Sequence, residues 1–130
     1  NKQNKTLNYW INFLNKKNYK GVTFETISDP TGNKINRLRI HINYRQAKFT
    51  PQSLAFSLEK NSPSIYVRDD LIHQDHFELD ACNLKSNEEK IVMKEMHKII
   101  IKLQQKKLKH NIFHKEYRKL ATNNWENWLN

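Results

Sequence analysis

Two histidine pairs stand at spacings that could place both imidazoles on one metal ion: His73-x-x-His76, with Asp75 between them, and His110-x-x-x-His114. Two ligands fall short of the four or so that a bound metal takes. The single cysteine, Cys82, is not placed to complete either pair, so no metal ligand is assigned. Asp69, Asp70 and Asp75 form an acidic run, but no serine or cysteine with a base-orienting partner accompanies them; they read as solvated loop acids. Cys82 reads as packing rather than as a nucleophile. Gly21 and Gly32 are isolated, and neither opens a phosphate loop or a dinucleotide fingerprint. No catalytic residue is therefore assigned to this chain.

Arg68 stands apart. It closes an apolar run and precedes a loop, where its planar guanidinium can take a carboxylate through two parallel hydrogen bonds. The plainer alternative is an ion pair with Asp69, Asp70 or Glu78, and spacing alone favours that alternative. Lys90, Lys94, Lys98, Lys102 and Lys106 recur every four residues, a ridge that could track nucleic-acid phosphates. A solvated helix face opposite an apolar stripe produces the same row.

A single small domain must position these groups. The chain has 130 residues, 37% hydrophobic and 11% aromatic, enough for one core but with little room for a deep pocket and its supporting shell. A second domain or a second copy is thus expected to complete any active site. The net charge of +10 is uneven: residues 1–50 hold ten Lys/Arg against two acids, 51–100 six against nine, and 101–130 seven against two. Asparagine accompanies lysine throughout, so part of this charge reflects compositional bias. A lone cysteine, with no charged-then-apolar leader and no long apolar run, makes a reducing cytoplasmic location the expectation, with no membrane partner.

Periodicity lays out the elements. Residues 5–18 place Leu7, Trp10, Ile11 and Leu14 at helical spacing, with Asn4 or Thr6 as N-cap and Asn18 near the stop. From Gly21 the period changes to two, with Val22, Phe24 and Thr26 on one side, followed by the turn residues 29–33 and the strictly alternating run from Leu38 to Tyr44. Thr50-Pro51 starts a helix over roughly 51–60. Strands are expected at Ser64–Arg68 and His76–Asp80, and Ser86-Asn87-Glu88-Glu89 has the pattern of a capping box. It opens a helix over about 87–108 with the stripe Val92, Met96, Ile99, Ile100 and Leu103. The expected order is α-β-β-α-β-β-α, an α+β fold with a small antiparallel or mixed sheet packed on helices. In domain terms this is an N-terminal helix (1–20), an α+β unit (21–108) and a basic helical tail (109–130) in which Trp125 and Trp128 anchor to a core or a partner.

Five segments in order carry a resemblance: Leu38-Arg39-Ile40-His41-Ile42; Phe49-Thr50-Pro51-Gln52-Ser53-Leu54; the run from Ser57 to Arg68; Phe77-Glu78-Leu79-Asp80; and Asn83-Leu84 with the long helix after it. Together they resemble the C-terminal small domain of fold type I pyridoxal-phosphate enzymes, in the branch containing selenocysteine synthase (seryl-tRNA selenium transferase). Ser64 stands where that branch favours a second proline, and the extension after about residue 106 has no counterpart. The resemblance implies a domain that closes over a cofactor-bearing large domain, with Arg68 contacting the substrate carboxylate of an amino acid or amino sugar acid in a lyase or transferase. It also implies that the Schiff-base lysine, the acid at the pyridine nitrogen and the phosphate loop lie elsewhere, so this chain alone holds no pyridoxal phosphate. The chain is then part of a longer enzyme or a stand-alone relative. The alternatives from the residues themselves are a nucleic-acid module built on the lysine ridge and a protein-interaction domain docking through its tail.

Overall fold

In the computed structural model the described residues are 2–28, 36–82, 84–85, 87–105 and 111–120. The expected turn at 29–33, together with Asn83, Ser86, Lys106, His110, Trp125 and Trp128, lies outside them. The fold is α+β: helices packed on one face of a three-stranded antiparallel sheet.

Helix α1 (Lys2–Lys17) buries Leu7, Trp10 and Leu14 at the spacing that predicts it, and it ends at Asn18, whose φ of 52° is a left-handed stop. It starts earlier than expected, so Thr6 is buried inside the helix rather than capping it. Gly21, at φ 78°, then lets the chain pass close to a neighbouring turn: a Cβ there would lie 2.4 Å from the Ala47 amide nitrogen.

The sheet has the order β1 (Val22–Ser28), β2 (Asn36–Ile42), β3 (His76–Asp80). In β2 the side chains of Leu38, Ile40 and Ile42 are essentially inaccessible, and Phe77 and Leu79 of β3 meet Ile40 and Leu38 on the same face. Tyr44 does not extend β2. Asn43 accepts the Gln46 amide through its side chain and caps a single-turn helix, α2 (Tyr44–Ala47). Helix α3 (Pro51–Lys60) begins as the Thr50-Pro51 pair dictates, with Thr50 Oγ1 accepting the Ser53 amide at 3.1 Å.

The third expected strand, at Ser64–Arg68, is reduced to one antiparallel bridge between Arg68 and Glu78. The reason lies at the end of α3. The Ile65 amide donates to the Leu58 carbonyl at 2.9 Å, so this end of the segment serves the helix terminus, and only Arg68 is bridged to β3. A short 3₁₀ turn (Ile72–Gln74) precedes β3.

Helix α4 (Glu88–Gln104) packs against α1 and α3. Asn87, at φ 69°, occupies its cap position without a side-chain bond, so the capping box does not start the helix in the expected frame. Met93 takes the fully buried place assigned to Val92, which is only partly covered, while Met96, Ile99, Ile100 and Leu103 are buried as the stripe predicts. The Trp10 indole nitrogen donates to the Glu89 carbonyl at 3.0 Å and ties the two helices. Residues 114–120 form a further helix, α5. No helix among the described residues is long and apolar enough to cross a membrane.

Ile40→Ala is expected to lower the unfolding free energy by about 2–5 kcal/mol, because the sealed core cannot collapse onto the lost volume. Lys94→Ala, on the open face of α4, should change it by less than about 0.5 kcal/mol. Urea titration of the two variants measures the contrast.

Candidate functional site

The face of the sheet turned away from the core is built by the same alternation that builds the core. Between Leu38, Ile40 and Ile42 stand Arg37, Arg39 and His41, and the antiparallel register sets them opposite Asp80, Glu78 and His76 of β3. On the other side β1 contributes Ile27, Glu25 and Thr23. With the Arg68 bridge added, one row reads Glu25, Arg39, Glu78, Arg68, alternating in charge across the sheet.

Glu78 is the hub of this face. Its Oε2 accepts from Arg39 Nη2 at 2.9 Å and Nε at 3.3 Å, and its Oε1 from Arg37 Nη1 at 3.4 Å. Arg39 Nη1 also lies 3.8 Å from Glu25, and His41 Nε2 is 2.9 Å from the same carboxylate. That hydrogen bond from His41 holds the Glu25 carboxyl below the usual range. Arg68 does not pair with any of the three acids that spacing offered. It meets Glu78 through backbone alone, amide to carbonyl at 2.8 Å and carbonyl from amide at 3.0 Å. Its side chain reaches diagonally to Asp80, Nε to Oδ2 at 3.1 Å, because the Glu78 carboxylate is already occupied by two guanidiniums. Burial alone would raise Asp80. Hydrogen bonds from Cys82 and Arg68 outweigh it and bring the carboxyl below its usual range.

Part of this face lines a cleft of about 530 Å³ whose wall includes Arg39, Arg68, Asp70, Leu71, His76 and Glu78. Arg68 is half exposed at this cleft, and among the described residues no acceptor engages its two terminal amines. The fork is therefore oriented at its base and open at its tip, which suits a planar oxyanion.

The remaining expected site residues are dispersed. Asp69 is hydrogen-bonded to Tyr117, Asp70 lines the cleft, and Asp75 uses its carbonyl to hold the Ile42 amide. His76 lies near His41 at 5.2 Å between ring centres and His73 near His114 at 5.7 Å, while His110 of the second sequence pair lies outside the described residues. Among the described residues no group of three or more His, Cys, Asp or Glu is arranged to hold a metal ion. The Cys82 thiol is pushed up by its hydrogen bond to Asp80, which keeps it protonated and a poor nucleophile. Lys90, Lys94, Lys98 and Lys102 are exposed along α4. Sequence reasoning left Arg37 and Arg39 aside, and took His76 only as a metal-ligand candidate and Glu78 only as a possible partner of Arg68; the signal for the two arginines was present, since they occupy the polar phase of a strand with one buried face.

A pyridoxal phosphate needs an amine for its aldehyde, an acid at its ring nitrogen and a cradle for its phosphate. The described residues lining the cleft include carboxylates and guanidiniums but no lysine. This donor set does not fit the cofactor as a whole, and no reaction step is derived through it.

His76 is buried, and its Nδ1 has no hydrogen-bond partner among the described residues. Burial, then the charges of Arg39 and His41, lower its affinity for a proton below the ordinary value of 6.5, against the pull of Glu78 and Glu25. A group depressed in this way stabilises the fold fully above its unfolded value and loses that contribution as pH falls through the folded value. His97, depressed by burial and Lys17, acts in the same sense. The protein is expected to lose stability between about pH 7.5 and about pH 5, and His76→Gln to lose less of it, with His97 accounting for the remainder. Urea unfolding at the two pH values measures the slopes; equal slopes would remove His76 from the account.

No protein-family model matches the chain, and no curated protein matches it. Among solved structures, that of D-glucosaminate-6-phosphate ammonia-lyase is similar with a TM-score of 0.63 at 21% sequence identity, over 73% of this chain and 25% of the other. At that identity the likeness is one of fold, and this chain spans about a quarter of the length of the enzyme it matches.

Proposed function

We propose that this chain is the substrate-closing domain of a pyridoxal-phosphate-dependent lyase or transferase acting on an amino acid or an amino sugar acid. The observation that carries the reading is the fold likeness to a quarter of an ammonia-lyase whose substrate is an amino sugar acid phosphate. The ordered motifs from Leu38 to Leu84 add to it independently, since they resemble the small domain of fold type I enzymes. In this reading the cofactor and its lysine belong to a large domain or to a second copy of the protein. Arg68 supplies the contact to the substrate carboxylate: Asp80 orients the guanidinium through Nε, and Arg68 lines the cleft with both terminal amines unengaged among the described residues. The sheet face is otherwise neutral, with Arg37, Arg39 and Arg68 set against Glu25, Glu78 and Asp80, so binding specificity rests on the open fork rather than on bulk charge.

The test is made on the protein as it occurs, together with its cofactor-bearing part. Ammonia release is followed with 2-amino acids and 2-amino-2-deoxy sugar acids as substrates. Arg68→Lys is expected to raise KM about 100-fold, roughly the loss of a bidentate charged contact. Its melting temperature should hold nearly constant, since a half-exposed ion pair contributes at most about 1 kcal/mol. An unchanged KM, or turnover by the chain on its own, would overturn the reading. Nucleic-acid affinity that falls steeply with salt and is lost on replacing Lys90, Lys94 and Lys98 by glutamine would instead favour the lysine ridge.

A further inference from the structure

Residues 111–120 belong to the extension that has no counterpart in the resemblance, yet they are fastened to the body of the domain at both ends. At the start, the Ile112 amide donates to Ser53 Oγ at 2.7 Å, its carbonyl accepts from Thr50 Oγ1, and Asn111 Nδ2 donates to the Lys48 carbonyl at 3.2 Å. Thr50 and Ser53 are the residues that begin α3, so this end of the segment is joined to the cap of that helix. Further along, Tyr117 is buried, and its hydroxyl donates to Asp69 Oδ2 at 2.7 Å. The His114 ring lies against His73.

Asp69 and His73 flank Asp70 and Leu71, which form a wall of the cleft, and Asp69 directly follows Arg68. The far end of the loop is held by the buried Ile72, whose carbonyl accepts from Gln52 Nε2 at 3.5 Å, and by the Asp75 carbonyl on the Ile42 amide, while its internal bonds are single turns, from Ile72 to Asp69, Gln74 to Leu71 and Asp75 to Ile72; at the near end, next to Arg68, Asp69 is tethered by Tyr117. A buried hydroxyl bonded to a carboxylate is a strong local tether. Burial, and after it the Asp69 bond, push the Tyr117 phenol far above its ordinary range, so it remains a donor.

The geometry points to residues 111–120 as a strap that fixes the 69–75 loop through Tyr117 and Asp69, making Tyr117 a positioning residue for Arg68. The strap is a statement about loop and side-chain order; its consequence for substrate rests on the proposed role of Arg68. The test therefore uses the full chain without ligand. In Tyr117→Phe the amides of Ile72, Gln74 and Asp75 are expected to exchange with solvent about tenfold faster, while those of α1 and β1 keep their rates. The Arg68 Nε–H resonance, set by the bond to Asp80, should move or broaden. Asp69→Ala should reproduce both effects and serves if Tyr117→Phe does not fold; Asp69→Asn, which keeps an acceptor, should behave as wild type. Unchanged loop exchange, an acceleration shared equally by α1 and β1, or an unmoved Arg68 resonance would overturn the proposal. A failure of Arg68 as the carboxylate contact would leave these readouts where they are, so the two claims fall separately.

Discussion

The alternation of side chains along β2 constrains everything else in the domain. Leu38, Ile40 and Ile42 enter the core, while Arg37, Arg39 and His41 face the other way. A slip of one residue in the pairing with β1 or β3 would send two guanidiniums and an imidazole into an apolar interior, at a desolvation penalty of several kcal/mol per charge. The register is thereby specified from both faces at once. Because the same register decides which carboxylate faces which arginine, the core and the cleft are two consequences of one pairing.

Glu78 shows how that pairing distributes charge. Facing Arg39 across the ladder and reached by Arg37, it satisfies two cations with one largely buried carboxylate. Arg68, arriving by a single backbone bridge on the free side of β3, finds that partner occupied and turns to Asp80. An arginine held at Nε and open at its amines results from this sharing of acids, in a face whose arginines and paired carboxylates are equal in number. In the proposed function the selectivity of the cleft rests on the direction of this one fork, which the backbone bridge of residue 68 to Glu78 and the side-chain bond to Asp80 orient.

The bridge to Glu78 anchors Arg68 from one side, and the loop that begins at Asp69 anchors it from the other. The segment touching that loop also closes the hydroxyl network at the start of α3, where Thr50 and Ser53 serve the helix and the strap together. Helix, loop and cleft wall are in this way linked through a few side-chain hydrogen bonds over a large sequence distance. Under the proposed function, this linkage is what would present a preset surface to the reactive centre.

Much of this was legible before any coordinates. The stripe Leu7, Trp10, Leu14 identified α1, the alternation from Leu38 identified β2 and both its faces, and Thr50-Pro51 placed the start of α3, because each depends on local periodicity or on one cap. The end of β2 at Ile42, the collapse of the 64–68 strand to one bridge and the start of α4 after Asn87 depended on backbone groups that found partners elsewhere, such as the Ile65 amide on Leu58. The partner of Arg68 could not be read either: Asp69, Asp70 and Glu78 are nearer in sequence or directly opposite, and Asp80 became the choice only once Glu78 had been taken by two other strand residues. By itself the sequence determined the periods, the caps and hence the kinds of element. Tertiary structure alone decided which charges meet, since that depends on register and on competition among groups far apart in the chain.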